Sequence, residues 1–251
     1  MLSQQYIIEI KLRRDEVPSF SEYPYCLNAI KNLKSLQLHP SVTFIVGENG
    51  SGKSTLLEAI AIALGFNPEG GSKNFNFSTH SSHSNLYKFL RISRGVRKPK
   101  DGYFLRAESF FNVATEIQKL DEEPARAPPV IDSYGGKSLH SQSHGESFMS
   151  LIMNRFGDNG IYILDEPEAA LSPSRQMALL SRIHHLAKNG SQFIIATHSP
   201  IVMSYPNATI YQLAEDGASA TKYEETEHFR VTKDFLNSYK SSLSILLSND
   251  K

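Results

Sequence analysis

Gly47-Glu48-Asn49-Gly50-Ser51-Gly52-Lys53-Ser54-Thr55 is the stretch that decides how this 251-residue chain is read. Gly47, Gly52, Lys53 and Ser54 fit the pattern G-x-x-x-x-G-K-[ST]. The apolar run Val42–Val46 precedes it, and Leu56–Leu64, built of Leu, Ile and Ala around one Glu, follows. The first predicts a short buried strand and the second a helix, the setting in which this pattern makes a phosphate-binding loop. Backbone N–H groups of such a loop converge on phosphate oxygens, and the helix N-terminus adds partial positive charge. Lys53 is then placed to reach the β- and γ-phosphates of a nucleoside triphosphate, and the Ser54 hydroxyl to ligate Mg²⁺.

Two further apolar runs, Ile161–Leu164 and Phe193–Thr197, alternate with helical spacing. Three such runs with helices between them predict an α/β fold with a mostly parallel sheet covered on both faces. Ligands of such sheets collect at the carboxyl ends of the strands. Those ends carry the phosphate loop, the pair Asp165-Glu166, and His198. Asp165 is the candidate to hold Mg²⁺, and Glu166 the candidate to polarise an attacking water.

Gln5–Leu12 alternates like an antiparallel strand, and Leu33–Leu38 reads as another. Phe20, Tyr23 and Tyr25 surround Pro24, and are read as core packing or as a platform for a nucleobase. Residues 67–85 are polar and rich in Gly, Ser, Asn and His, which predicts a loop, with His80 and His83 lacking the partners of a metal site. Asn85–Arg97 and Gly102–Arg106 are expected to be strands around one turn. Lys88, Arg91, Arg94, Arg97, Lys98 and Lys100 make the surrounding stretch basic, a solvated turn or a weak pointer to nucleic-acid phosphates. Helical spacing then returns over Glu108–Leu120, from Gly145, after the Ser172-Pro173 start signal, and over Thr232–Leu247, with a hairpin at Asn207–Tyr223.

Composition narrows the class. Lys+Arg and Asp+Glu balance at 26 each, giving no global argument for nucleic acid or acidic lipid. No run of 18 apolar residues is present, so no membrane insertion is expected, and the first residues do not read as a signal peptide. The single cysteine, Cys26, is expected to be a packed side chain and agrees with a cytoplasmic location.

Taken in order, these motifs resemble those of an ABC-type ATPase head. Gly47–Thr55 resembles the Walker A loop, Ile161–Glu166 the Walker B strand with its catalytic glutamate, Ala169–Ser172 the D-loop, and His198 the switch histidine. Ser143-His-Gly-Glu-Ser147 resembles the signature that opens a helix, although transporter ATPases usually read Leu-Ser-Gly-Gly-Gln. The form is more similar to DNA-repair, SMC-like and overcoming-lysogenization-type ABC ATPases and to predicted AAA-type ATPases. The resemblance implies ATP and Mg²⁺ as cofactors and one ABC-type domain over residues 1–251, with a small inserted subdomain at about 67–142. It also implies an ATP-dependent homodimer, in which Ser143, Gly145 and Glu146 of one copy face the nucleotide held by the other. Glu108, with Gln118 as a weaker candidate, falls near the place of the Q-loop glutamine as a further metal-site residue. The implied activity is ATP hydrolysis; the alternatives are a transporter's nucleotide-binding subunit, or an ATP-gated module for DNA or an unidentified protein partner.

Overall fold

A computed structural model describes residues 5–73, 83–122 and 128–248. In chain order its elements are β1 (Ile7–Leu12), α1 (Asn28–Lys31), β2 (Ser35–Gln37), β3 (Val42–Val46) and α2 (Lys53–Ala63). β4 (Leu90–Arg94), β5 (Asp101–Arg106), α3 (Phe110–Glu122), α4 (His144–Arg155) and β6 (Gly160–Asp165) follow. The last part holds α5 (Pro173–Lys188), β7 (Gln192–Ala196), β8 (Thr209–Ala214), β9 (Gly217–Thr221) and α6 (Glu227–Leu246).

The main sheet runs β5-β6-β7-β3-β8-β9, parallel from β5 to β8 with β9 antiparallel at the edge. Its central strands are apolar without alternation because both faces are buried. Val42, Phe44, Val46, Tyr162, Leu164, Phe193 and Ile195 pack with residues of α3, α4 and α5 on one side. Ile45, Ile161, Ile163, Ile194 and Ala196 pack on the other with α2 and the small sheet β2-β1-β4. The small sheet is antiparallel and one-sided, hence the alternating sequence of β1. Gln192 fastens the two sheets: its buried amide donates to the carbonyls of Ile7 and His39 and accepts from the amides of Tyr6 and Ile7.

The structure departs from the sequence reading in several places. Residues 85–89 form a 3₁₀ helix, and β4 and β5 join different sheets instead of flanking one turn. β5 is buried along Gly102–Leu105 while β4 is half-exposed, so their environments share nothing but proximity in the chain. Of the stretch 67–142 read as an insertion, β4 and β5 are therefore strands of the two sheets. His80 lies outside the described residues. Cys26 is exposed, not packed, because it sits on the turn leading into α1. α6 starts at Glu227, earlier than its spacing predicts, because Thr226 caps it, its side chain accepting from Phe229 N–H at 3.4 Å. It kinks at Ser238, whose hydroxyl donates to the Asp234 carbonyl, and none of its residues is buried.

Candidate active site

Strand register brings the candidate residues to one edge. Ile45 pairs with Ala196 and Ala196 with Asp165, while Arg106 pairs with Asp165 from the other side. The chain segments leaving β3, β6 and β7 therefore emerge together, and they carry Gly47–Thr55, Glu166 and His198.

The phosphate loop is a folded cradle. Gly47, Gly50 and Gly52 take φ of 152°, 78° and 95°, and a Cβ at Gly47 would meet the Leu213 carbonyl at 2.7 Å. Gly52 caps α2, so Lys53 and Ser54 open the helix. Lys53 is buried and its ammonium donates to the carbonyls of Gly47 and Glu48, each at 2.9 Å. Burial lowers its pKa, opposed by Glu166, Asp165 and Glu168. The Ser51 hydroxyl is buried with no partner, an orphaned polar atom inside the loop that a phosphate oxygen would satisfy. Ser54 donates to Asp165 Oδ1 at 3.0 Å, so a hydroxyl and a carboxylate, both hard oxygen donors, already meet where Mg²⁺ chemistry needs them. Thr55 stands 3.2 Å from the hydroxyl of the exposed Tyr23. Glu48, Asn49 and Gly50 are exposed at the mouth, between clefts of about 580 and 460 Å³.

Asp165 is buried, which pushes its carboxyl up to about 6 against the pull of Arg106 and the Ser54 hydrogen bond. Arg106, unnoticed in the sequence, donates to Glu58 at 2.8 Å and to Glu108 at 3.3 Å, with its Nε 3.8 Å from Asp165. Glu108, expected near the metal, is mostly exposed and spends its carboxylate on Arg106. Glu166 occupies the left-handed region at φ 50°, an uncommon conformation for a residue with a Cβ. Its amide donates to the Ala196 carbonyl at 3.0 Å, which fixes the strained turn to the end of β7.

His198 Nε2 lies 3.5 Å from Glu166 Oε1, and its Nδ1 lies 2.8 Å from His228 Nε2. Its loop is held by Glu168, whose Oε1 accepts from the amides of His198 at 2.6 Å and Ser199 at 3.2 Å. Burial raises the Glu168 pKa and lowers that of both histidines, with Lys53 lowering the histidines further. Glu168 and His228 escaped the sequence reading. Only their placement beside His198 marks them, although Glu168 follows the Asp165-Glu166 pair by two residues.

Ser143 and Glu146 do not meet the phosphate loop through any hydrogen bond among the described residues. Ser143 caps α4 and its N–H and hydroxyl both donate to Glu146 Oε2, at 3.0 and 2.7 Å. Those bonds hold the Glu146 pKa down. Arg175 approaches Glu146 at 3.6 Å. A Cβ at Gly145 would meet the Ala170 carbonyl at 2.7 Å and collide with Arg175 Nη1, so a bare glycine lets α4 pack against Ala169–Ser172. Ser143, His144 and Glu146 themselves face solvent.

The other sequence candidates disperse. Tyr25 is buried edge-on to Phe89, and Phe20 packs under Arg14, leaving Tyr23 as the exposed aromatic. Arg97 of the basic stretch donates to Asn159 at 3.0 Å. Among the described residues no three His, Cys, Asp or Glu gather as a metal site, and no helix is long and apolar enough to cross a membrane.

A parallel sheet with a glycine-rich loop opening α2, and a carboxylate pair at the neighbouring strand end, defines a P-loop nucleoside-triphosphate site. A family profile described as an AAA domain matches residues 25–132, and one described as "AAA domain, putative AbiEii toxin, Type IV TA system" matches 138–204. The putative ABC transporter ATP-binding protein TTE0246 of Caldanaerobacter subterraneus is 29% identical over 172 residues, 62% of this chain and 68% of that protein. The energy-coupling factor transporter ATP-binding protein EcfA2 of Methanospirillum hungatei is 26% identical over 216 residues, 80% of this chain and 54% of that protein. The ABC transporter G family member STR2 of Medicago truncatula is 25% identical over 172 residues, which span only 24% of its length. Among solved structures, MJ1267, an ATP-binding cassette of an ABC transporter, superposes with a TM-score of 0.53 at 17% identity, covering 95% of this chain and 98% of that one. The chain is therefore similar to ABC-type ATP-binding proteins over most of its length and shares the fold of an ATP-binding cassette.

Proposed function

We propose that this chain binds ATP with Mg²⁺ and hydrolyses it to ADP and phosphate, working in the cytoplasm as a dimer of heads that closes over two nucleotides. The observation that carries this reading is the meeting of Lys53, Ser54, Asp165, Glu166 and His198 at one sheet edge, while Ser143, His144 and Glu146 at the capped start of α4 face solvent elsewhere. Half of a composite site thus needs a second copy to supply the other half.

Lys53 leaves the carbonyls of Gly47 and Glu48 for the β- and γ-phosphates, and Ser51 gains the partner it lacks. Ser54 and Asp165 hold Mg²⁺, which neutralises charge developing on the phosphate oxygens. Glu166 takes a proton from the attacking water as its oxygen bonds the γ-phosphorus and the bond to the bridging oxygen breaks. His198 donates to a γ-phosphate oxygen, and the exposed ring of Tyr23, beside Thr55, offers a face for the nucleobase. Ser143, Gly145 and the first amides of α4 are the donors for the partner copy's γ-phosphate, with Glu146 orienting Ser143.

Sedimentation of Glu166→Gln with and without MgATP tests the reading. The variant should form a dimer only with MgATP and turn over at least about a hundredfold more slowly than the natural chain. A variant that stays monomeric at saturating MgATP rejects the sandwich, and one that hydrolyses at the natural rate rejects Glu166 as the base. The names of the relatives favour a second reading, the ATP-binding subunit of a membrane transporter. It is supported if the same variant, held in ATP, co-purifies with a membrane protein, and rejected if it partitions away from membranes.

A further inference from the structure

His198 and His228 are 30 positions apart, yet their rings bond directly, Nδ1 to Nε2 at 2.8 Å. Burial and the Lys53 charge lower the pKa of both rings and so favour their neutral forms. Two neutral imidazoles joined in this way share one proton, and its position determines what the far nitrogens do. If His198 Nδ1 were the donor, its Nε2 would turn a lone pair toward the Glu166 carboxylate 3.5 Å away. His228 Nδ1, buried without a partner, would then be an orphaned N–H. In the opposite arrangement His228 Nε2–H donates, and His198 presents Nε2–H toward Glu166. The unpartnered nitrogen of His228 is then only an acceptor, the cheaper kind of orphan. Each arrangement leaves one buried N–H without a hydrogen-bond partner, on His228 Nδ1 or on His198 Nε2, so the Glu166 carboxylate decides: it attracts an N–H and repels a lone pair, which favours the second arrangement.

We infer that His228 is a positioning residue that fixes His198 as the Nε2–H tautomer, ready to donate to the γ-phosphate, and so ties the start of α6 to the nucleotide site. This rests on the ATPase reading above. The anchoring supports it: Thr226, at 1% exposure, caps α6 and donates to the Tyr223 carbonyl at 2.7 Å. The Tyr223 hydroxyl donates at 2.8 Å to Pro200, two residues past His198. Two cross-ties therefore join the loop after β7 to the first turn of α6, a helix that buries none of its own residues.

Long-range ¹H–¹⁵N correlation spectra of the full chain read the tautomer directly, and steady-state ATPase kinetics read its consequence. In the natural chain, His198 should carry its proton on Nε2. His228→Ala should leave His198 a mixture of tautomers and lower kcat about tenfold, with KM for ATP changed less than about twofold. His228→Gln, whose side-chain amide keeps a donor, should restore both. The inference is overturned by an Nδ1–H His198 in the natural chain, by a tautomer or kcat unmoved in a folded His228→Ala, or by a Gln variant as impaired as the Ala one. Absence of turnover in the natural chain would strike the ATPase reading instead, and the tautomer spectra would still decide the role of His228.

Discussion

The two ends of the main sheet are built on opposite terms. At the amino end, the charged groups around β5 and β6 are paired, although the buried hydroxyls of Tyr103 and Tyr134 are not. Arg155 donates to both oxygens of Asp101 at 3.0 and 2.8 Å, and the Tyr162 hydroxyl accepts from Gly157 N–H at 2.7 Å and donates to the Gly157 carbonyl at 2.8 Å. At the carboxyl end, Ser51 Oγ, Arg106 Nε and His198 Nε2 lack hydrogen-bond partners, Glu166 sits in a strained conformation, and Asp165 is held toward protonation. The same sheet thus pairs its charged groups at one end and gathers strained, unpaired groups of the candidate site at the other. Unpaired groups cost stability, and a site retains them only where binding recovers that cost.

Substitutions at the two ends should break this comparison or sharpen it. Arg155→Ala strands the Asp101 carboxylate and should cost about 3 kcal/mol in urea denaturation, with nucleotide affinity per folded molecule unchanged. Loss of affinity without loss of stability would erase the distinction. The pH response should run the other way at the carboxyl end. Between pH 4 and about 6 the folded chain keeps a proton on Asp165 that the unfolded chain has released. Unfolding free energy from this group should therefore fall as pH rises through that window, by roughly 3 kcal/mol in the absence of ligand, and level off above it. Asp165→Asn should flatten that slope; an unchanged slope in the variant would show that other groups produce it. Lys53→Ala should weaken MgATP binding about a hundredfold in calorimetric titration, near 2.7 kcal/mol, and barely move apo stability. The smallest effects compare single hydroxyls. Tyr162→Phe should destabilise by about 1–2 kcal/mol, whereas Ser51→Ala should be neutral or stabilising by up to about 1 kcal/mol without ligand. Equal losses from the two would end the contrast.

Legibility in the sequence followed the same divide. The carboxyl-end motifs were readable because their chemistry is local: a glycine pattern, a lysine and a serine within nine residues, and short polar sequences ending apolar strands. Residues acting across the fold were not readable. Arg106 reads as the end of a strand and becomes the partner of Glu58, Glu108 and Asp165 only when β5 pairs with β6. His228 reads as one polar residue ahead of the helix expected from Thr232, and nothing local couples it to His198. The expected strand pair around residues 99–102 failed for the same reason, since neighbouring segments can be drawn into different sheets by their own burial.

The amino-acid sequence alone determined that a triphosphate loop sits between a buried strand and a helix, followed by a second strand ending in Asp165-Glu166 and a third ending near His198. Periodicity and the phosphate pattern are properties of adjacent residues, so they survive in one dimension. The tertiary structure alone decided which strands stand side by side, that Glu108 serves Arg106, that Glu168 holds the loop of His198, and that His228 touches it. Those are choices of register and crossover, made when both faces of a sheet must be buried at once.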